Sequence, residues 1–141
     1  MSLQQASPAN DTYGITEVGL KRTTCYGKCP AYQVTIHSDG TFEYIGEANV
    51  ERLGEHTGRV NRWAFQQLCR FIKESDFMNL EDAYAAPAMD LPTVYTTVVM
   101  NGTQKRISNY GNAGPAKLWA IEQLIDKLLL EAQWDSPGEN Q

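Results

Sequence analysis

Several features that would assign this chain to a familiar functional class are missing from its sequence. No apolar run approaches the roughly 18 residues that a membrane-spanning helix requires. The formal net charge of −5 excludes the broad basic surface with which proteins hold nucleic-acid phosphates. Neither a heptad nor a longer period recurs, which excludes coiled coils and solenoids. We therefore expect no membrane span and no nucleic acid among the partners.

What the sequence does contain is typical of one small globular domain. Hydrophobic residues make up 42% and charged residues 21% of the 141 positions, as in ordinary folded proteins. A chain of this length buries about two thirds of its unfolded surface, enough for a core without metal or disulfide staples. Both ends are small and polar. We predict disordered ends over 1–13 and 135–141 and a single domain over 14–134.

The clearest local pattern is a hairpin formed by residues 32–37 and 41–45. Apolar and polar side chains alternate in both segments, which predicts two strands. A three-residue turn ending at Gly40 pairs Ile36 with Phe42 and keeps one face apolar, whereas a two-residue turn mixes apolar and polar side chains. We therefore predict a type I turn with Gly40 in a left-handed bulge.

The remaining elements follow from similar patterns. Further strands are predicted over 15–24, 50–60, 93–99 and 105–109, with a helix capped by Asn61 that ends near Ser75 and a second helix after Pro115. The inward stripe of the first helix is Ala64, Leu68, Phe71 and Ile72, with Phe65 and Cys69 at its margin; that of the second is Leu118, Ile121, Ile125, Leu128 and Leu129. Asn101-Gly102 is a strong hairpin signal. The order ββββαββα predicts an α+β fold, with an antiparallel sheet of about six strands and two helices packed on one face.

Four short motifs together resemble a known family. They are Cys25-Tyr26-Gly27-Lys28-Cys29-Pro30-Ala31-Tyr32, Asp39-Gly40, Asp90-Leu91-Pro92-Thr93 and Asn109-Tyr110-Gly111-Asn112 with Gly114-Pro115. The chain resembles, over 15–134, a bacterial domain-of-unknown-function family with a Cys-Tyr-Gly-x-Cys-Pro-x-Tyr signature. The resemblance implies a small module, often exported or associated with the cell envelope, to which no reaction is assigned.

The pair Cys25 and Cys29 allows three interpretations. A disulfide is feasible if Gly27 bends the backbone enough, and its role would be to fix the shape of the loop. Reduced, inert thiols in a cytoplasmic protein are the second. The third is thiol-redox or Cu(I) chemistry, since the C-x-x-x-C-P string is similar to the copper-binding loop of SCO-type copper chaperones and His37 could be a third ligand. Cys69, on a helix, is expected to be a buried apolar residue.

Three loops supply the candidate recognition surface: 25–30, 79–93 and 109–115. A segment as long as 79–93 is often functional in a small domain. The candidate binding residues on these loops and beside them are Tyr26, Tyr84, Asp90, Thr93, Tyr110 and Asn112. Glycines in 109–115 could also expose backbone N–H groups to an anion, although they equally allow a sharp turn from strand to helix.

We therefore predict an exported, periplasmic or otherwise extracytoplasmic binding module rather than an enzyme, needing no cofactor. Its partner would be a protein or peptide of the cell envelope, and its oligomeric state is open. The alternatives are a thiol-redox or Cu(I)-handling protein using Cys25 and Cys29, a cytoplasmic location, and an enzyme with a polar cleft between the loops.

Overall fold

The computed structural model describes residues 11–136 of the chain. In chain order, the elements are β1 (Ile15–Arg22), β2 (Ala31–His37), β3 (Thr41–Ala48), β4 (Gly54–Arg59), α1 (Arg62–Glu74), β5 (Ala83–Ala85), β6 (Thr93–Met100), β7 (Thr103–Tyr110), α2 (Ala116–Leu130) and β8 (Gln133–Trp134), with a short 3-10 turn at Phe77–Asn79 after α1. The α+β class predicted from the sequence is confirmed.

The strands form one sheet in the order β5-β7-β6-β1-β2-β3-β4-β8. All neighbours are antiparallel except β5 and β7, which run parallel. The prediction of about six antiparallel strands was therefore wrong in number and in uniformity. The two missed strands are edge strands of three and two residues. Such segments are too short to show an alternating pattern.

Both hairpins form as the sequence predicts. Ile36 faces Phe42 across the first turn, Gly40 has a φ of 93°, and its N–H donates to the His37 carbonyl oxygen at 2.8 Å. At the second turn, Asn101 and Gly102 have φ values of 52° and 81°, the left-handed geometry of a two-residue turn. The turn residues, together with the alternation of the flanking strands, account for these two registers.

Helix α1 begins where predicted and turns a slightly different face to the sheet. The Asn61 side-chain oxygen accepts from the Ala64 N–H at 2.8 Å, and the helix ends at Glu74. Phe65 and Cys69, placed by the sequence at the margin of the stripe, are fully buried beside the predicted Leu68 and Ile72, whereas Ala64 and Phe71 are partly buried. Burial raises the pKa of the Cys69 thiol to about 12, which makes it an inert core residue as expected.

All five predicted core positions of α2 are buried. The apolar side chains of the sheet share one core with those of both helices, including Val18, Val34 and Phe42. Both helices therefore lie on one face of the sheet. No helix within residues 11–136 is long and apolar enough to cross a membrane.

The predicted disordered ends, 1–13 and 135–141, lie mostly outside the described residues. At the edges of the described part, Tyr13 packs against the core and the Asp135 N–H donates to the Thr57 carbonyl oxygen at 3.0 Å. The predicted bounds of 14–134 do not include these contacts.

Candidate functional site

The loop between β1 and β2 is closed by a disulfide. Cys25 and Cys29 are bonded, with their Cα atoms 5.5 Å apart. Tyr26 lies at the tip with 88% of its surface exposed, and its N–H donates to the Asp90 carbonyl oxygen at 3.3 Å. The disulfide loop therefore touches the 79–93 segment.

Thr93 and Tyr110 connect the other predicted loops. The Thr93 N–H donates to the Thr23 hydroxyl at 2.9 Å, beside the disulfide loop. The Tyr110 hydroxyl donates to the Ala88 carbonyl oxygen at 2.7 Å and accepts from the Leu91 N–H at 3.3 Å. The three loops thus meet at one end of the sheet.

The six candidate binding residues differ in what they are free to contact. The hydroxyls of Tyr84 and Tyr110 are used inside the 79–93 segment, the former accepting from the Glu81 N–H at 3.1 Å. Asp90 and Asn112 are exposed at left-handed positions, with φ values of 62° and 58°. Of the six, Asn112 lines a cavity.

That cavity, which we call the loop-side cavity, has a volume of about 320 Å³. Its walls come from the two loops and from α2, and they include Leu91, Pro92, Asn112 and Trp119, while Arg22 and Glu122 provide its polar groups. The loops therefore form only one wall of a site whose charged groups lie elsewhere.

A polar cluster between the sheet and α2, buried at Glu122 and Asn109 and partly buried at Arg22 and Asp126, was not predicted. The Arg22 guanidinium at the end of β1 contacts the Asp126 carboxylate at 2.7 Å. The Tyr32 hydroxyl, at the start of β2, donates to the same carboxylate. One helical turn earlier, Glu122 accepts from the Asn109 side-chain amide at 2.9 Å. This cluster joins β1, β2, β7 and α2 beneath the disulfide loop.

Burial dominates the electrostatics of both carboxyl groups. It raises the pKa of Glu122, although the Asn109 hydrogen bond and the Arg22 charge oppose the rise. It also raises the pKa of Asp126 against the attraction and hydrogen bond of Arg22. The Arg22 Nε is buried without a hydrogen-bond partner among residues 11–136. Leaving a buried N–H without a hydrogen-bond partner is energetically costly.

Arg22 also lines a second and larger cavity, of about 510 Å³, which we call the aromatic cleft. Tyr32, Tyr44 and Trp134 form its aromatic wall, and Arg22 with Asp126 forms its charged floor. Tyr32 stacks on Tyr44 with ring centroids 5.4 Å apart, and Trp134 meets Tyr44 edge-on at 5.0 Å. The cleft is thus a preformed, mostly apolar space with two charged groups at its base.

Trp134 is fixed in this wall by β8. Its indole N–H donates to the Leu129 carbonyl oxygen at 3.2 Å near the end of α2, and the Arg52 guanidinium lies 4.1 Å from its ring centroid. Neither β8 nor the importance of Trp134 was expected. One feature of the sequence indicates the charged floor of the cleft. Glu122 occupies a position of the apolar stripe of α2, and Asp126 follows one turn later.

The alternative metal site is not assembled. Cys25 and Cys29 are bonded to each other, so neither offers a thiolate. His37 lies at the other end of β2, roughly 20 Å along the strand, where its ring contacts Glu43 at 2.7 Å. No group of three metal-ligating side chains occurs in the part of the chain that the structure describes.

Fold and cleft define a small α+β protein in which two helices cover one sheet face and leave a ligand-sized space at one end. Residues 16–129 match the model of a family described as Domain of unknown function (DUF6438), and the chain belongs to this family. Membership of a domain-of-unknown-function family is thereby confirmed, while the cysteine signature and the bacterial origin stay predictions. No curated protein sequence matches the chain. Trp134 lies beyond the matched residues.

Proposed function

We propose that this protein is an extracytoplasmic binding module whose aromatic cleft receives an apolar side chain from a protein or peptide of the cell envelope. The observation that carries this proposal is the aromatic cleft itself. Its volume of about 510 Å³ lies within the ordinary range of small-ligand sites. It is walled by aromatic rings and carries a small number of polar groups, the usual composition of such sites.

Two arginines and two carboxylates line the cleft, Arg22, Arg52, Glu51 and Asp126, and this balance of charge favours an uncharged apolar group over an ion. Arg22 and Asp126 neutralise each other at 2.7 Å, and the Tyr32 hydroxyl takes part in the same contact. The second guanidinium, that of Arg52, lies against the ring of Trp134. Because each arginine already has a partner within the protein, neither is free to pair with a carboxylate of the ligand. The aromatic rings, in contrast, offer a large apolar area.

The mouth of the cleft supports a macromolecular partner. Leu130, at the end of α2, lines the cleft and is 86% exposed, and the aromatic wall continues from it into the interior. Together with the apolar lining of the cleft, Leu130 forms a continuous apolar surface, and such surfaces are typical of sites that bind other proteins. A partner segment can cover Leu130 while one of its own side chains enters the cleft and packs against the rings of Tyr44 and Trp134.

The disulfide supports both the location and the role of the neighbouring loop. Structural disulfides persist in oxidising compartments and are rare in the cytosol, which favours an extracytoplasmic protein. The bond between Cys25 and Cys29 restricts the loop whose last residue is followed by Pro30, a lining residue of the cleft. A preformed loop reduces the entropy lost on binding.

Selection of a displayed library of random short peptides against the full chain tests the proposal. We expect the selected peptides to share one large apolar or aromatic residue. In calorimetry, Tyr44→Ala should weaken their binding about tenfold or more, since removal of a pocket-lining aromatic ring costs roughly 2 kcal/mol. The absence of enriched peptides would overturn the proposal.

Two control variants make the result specific. Trp63 lies on α1, is 67% exposed and lines a different surface depression, so Trp63→Ala should leave the affinity unchanged. Circular dichroism of Tyr44→Ala must show a folded protein, and Leu130→Ser gives a second variant at the exposed mouth whose fold is not at risk. Equal affinity for the wild type and both cleft variants would contradict binding in the aromatic cleft.

A further inference from the structure

The outer face of the sheet, opposite the two helices, carries a depression centred on Gly19 in β1. Alternation along the strands places Gly19 between Thr35 of β2 and Thr97 of β6 in one row, and Lys21 between Gln33 and Tyr95 in the next. Together with neighbouring outer-face side chains these residues enclose about 230 Å³, which we call the Gly19 basin. The basin is separated from the aromatic cleft by the sheet.

Nothing in the fold requires glycine at this position. Gly19 is not among the glycines with positive φ. A Cβ atom there would lie 3.5 Å from the Val34 carbonyl oxygen and 3.6 Å from the Thr97 Cβ, which are ordinary contacts. At Gly46 and Gly58, in contrast, a Cβ atom would lie 1.8 Å and 2.5 Å from a backbone oxygen, so close packing explains those two glycines.

Glycine at the centre of a strand is unfavourable because it loses more conformational entropy and packs no side chain. β1 is an interior strand, paired with β2 on one side and β6 on the other. Neither a positive φ nor a close backbone approach explains Gly19. The effect of the glycine that remains is the open space of the basin. Close approach of a ligand to the backbone is one of the established reasons for a glycine within a strand.

The walls of the basin are basic and rich in hydrogen-bond donors. Within residues 11–136 neither Lys21 nor Arg106 has a carboxylate partner, and the Arg106 guanidinium rests 4.5 Å from the ring centroid of Tyr95. The hydroxyls of Thr35 and Thr97 flank the glycine. The nearest carboxylate, Glu17, is at the edge of the basin towards His37, 3.9 Å from its ring.

We propose that the Gly19 basin is a binding site for the oxyanion of a small polar ligand, either a carboxylate or a phosphate. Lys21 and Arg106 supply the positive charge, Thr35 and Thr97 donate hydrogen bonds, and the side chain that Gly19 lacks leaves the space. Cationic donors around a concave surface are the usual means of holding oxyanions. The proposal is independent of the aromatic cleft, which lies on the other face of the sheet.

The test is a titration of the ¹⁵N-labelled full chain at low ionic strength, followed by NMR. Inorganic phosphate and glucuronate are added in separate experiments, and sodium chloride serves as the ionic-strength control. We expect saturable shifts of the Gly19, Thr35 and Thr97 amides with at least one of the two oxyanions. The anion that binds more tightly distinguishes a phosphate ligand from a carboxylate ligand. Shifts that sodium chloride reproduces, or that fail to saturate with both anions, would overturn the proposal.

Gly19→Thr fills the basin with a side chain that the backbone accepts. It should preserve a dispersed spectrum and abolish the saturable shifts. Lys21→Gln should weaken binding of the anion about tenfold, the effect of losing one charge-assisted hydrogen bond. This variant tests the proposed site if Gly19→Thr does not fold. Lys117→Gln, on the exposed surface of α2, should change nothing. Wild-type affinity in Lys21→Gln would contradict the site.

Discussion

Trp134→Ala is expected to destabilise the protein by about 3.5 kcal/mol, although Trp134 lies in a two-residue edge strand near the end of the described chain. The ring meets Phe42 edge-on at 4.9 Å and Tyr44 at 5.0 Å, its N–H donates to Leu129 at 3.2 Å, and Arg52 lies 4.1 Å above it. Each aromatic pair contributes about 1 kcal/mol, the hydrogen bond about 1 kcal/mol and the cation–π contact about 0.5 kcal/mol. These contacts, together with the pairing of β8 with β4, hold Trp134 in place.

Urea denaturation followed by circular dichroism measures the effect, because tryptophan fluorescence would change with the substitution itself. Trp134→Phe retains the ring and removes the N–H, so it should cost only about 1 kcal/mol. Trp63→Ala removes a tryptophan that is 67% exposed and should stay within about 0.5 kcal/mol of the wild type. A cost below about 1 kcal/mol for Trp134→Ala, similar to that of Trp63→Ala, would refute the packing of β8 and with it the aromatic wall.

The remaining predictions concern the disulfide, the buried carboxyl group and a helix cap. Native protein without reductant should show no reactive thiol, because Cys25 and Cys29 are bonded and Cys69 is buried with its pKa raised to about 12. Unfolding should expose one thiol, and unfolding with reductant should expose three. Two reactive thiols in the native protein would contradict the disulfide. Replacing both bonded cysteines by serine should cost at most about 2 kcal/mol in urea denaturation, the loop-closure value for so small a ring, and a larger loss would show that the bond supports the core. Glu122→Gln should stabilise the protein at pH 7, because burial raises the pKa of this carboxyl above its ordinary 4.5 and so disfavours its charged form. This gain in stability should fade as the pH falls through the raised pKa towards 4.5. Melting curves that show an equal gain at pH 4 and pH 7 would contradict the raised pKa of Glu122. Asn61→Ala should cost about 1 kcal/mol through the lost cap, and an unchanged denaturation midpoint would argue against it.

The parts of the fold that the sequence predicted are those with local causes. The register of the first hairpin follows from the alternation around Gly40, and the second turn follows from Asn101-Gly102. The start of α1 depends on one side chain, that of Asn61, which accepts a hydrogen bond from the Ala64 N–H three positions further along the chain. Each of these features is decided by a few neighbouring residues, so a single sequence contains the whole signal.

The missed strands depend on contacts between distant segments. β5 is three residues long and pairs in parallel with β7, and β8 is two residues long and pairs with β4. Neither has a pattern of its own, because pairing with an existing edge supplies the strand geometry. The shift of the buried face of α1 towards Phe65 and Cys69 has a similar cause, since the sheet beneath the helix decides which side of a broad apolar stripe is covered.

The candidate site was predicted only in part for the same reason. The sequence identified three loops, and they do meet at one end of the sheet, as the contact between Tyr26 and Asp90 shows. The charged floor of the cleft was not predicted because Arg22 and Asp126 are separated by 104 positions and neither belongs to a motif. A carboxylate within an apolar helical stripe, as at Glu122, is the feature that could have pointed to it.

The most direct test of the aromatic cleft uses the three tryptophans, each of which lines a different cavity. In a variant that keeps only Trp134, with Trp63→Phe and Trp119→Phe, a selected peptide should shift or quench the emission in a saturable manner at its calorimetric affinity. A variant that keeps only Trp63, with Phe at the other two positions, loses part of the cleft wall and should bind more weakly, and its emission should stay unchanged even at saturating peptide. Binding that leaves Trp134 silent and alters Trp63 would contradict the account.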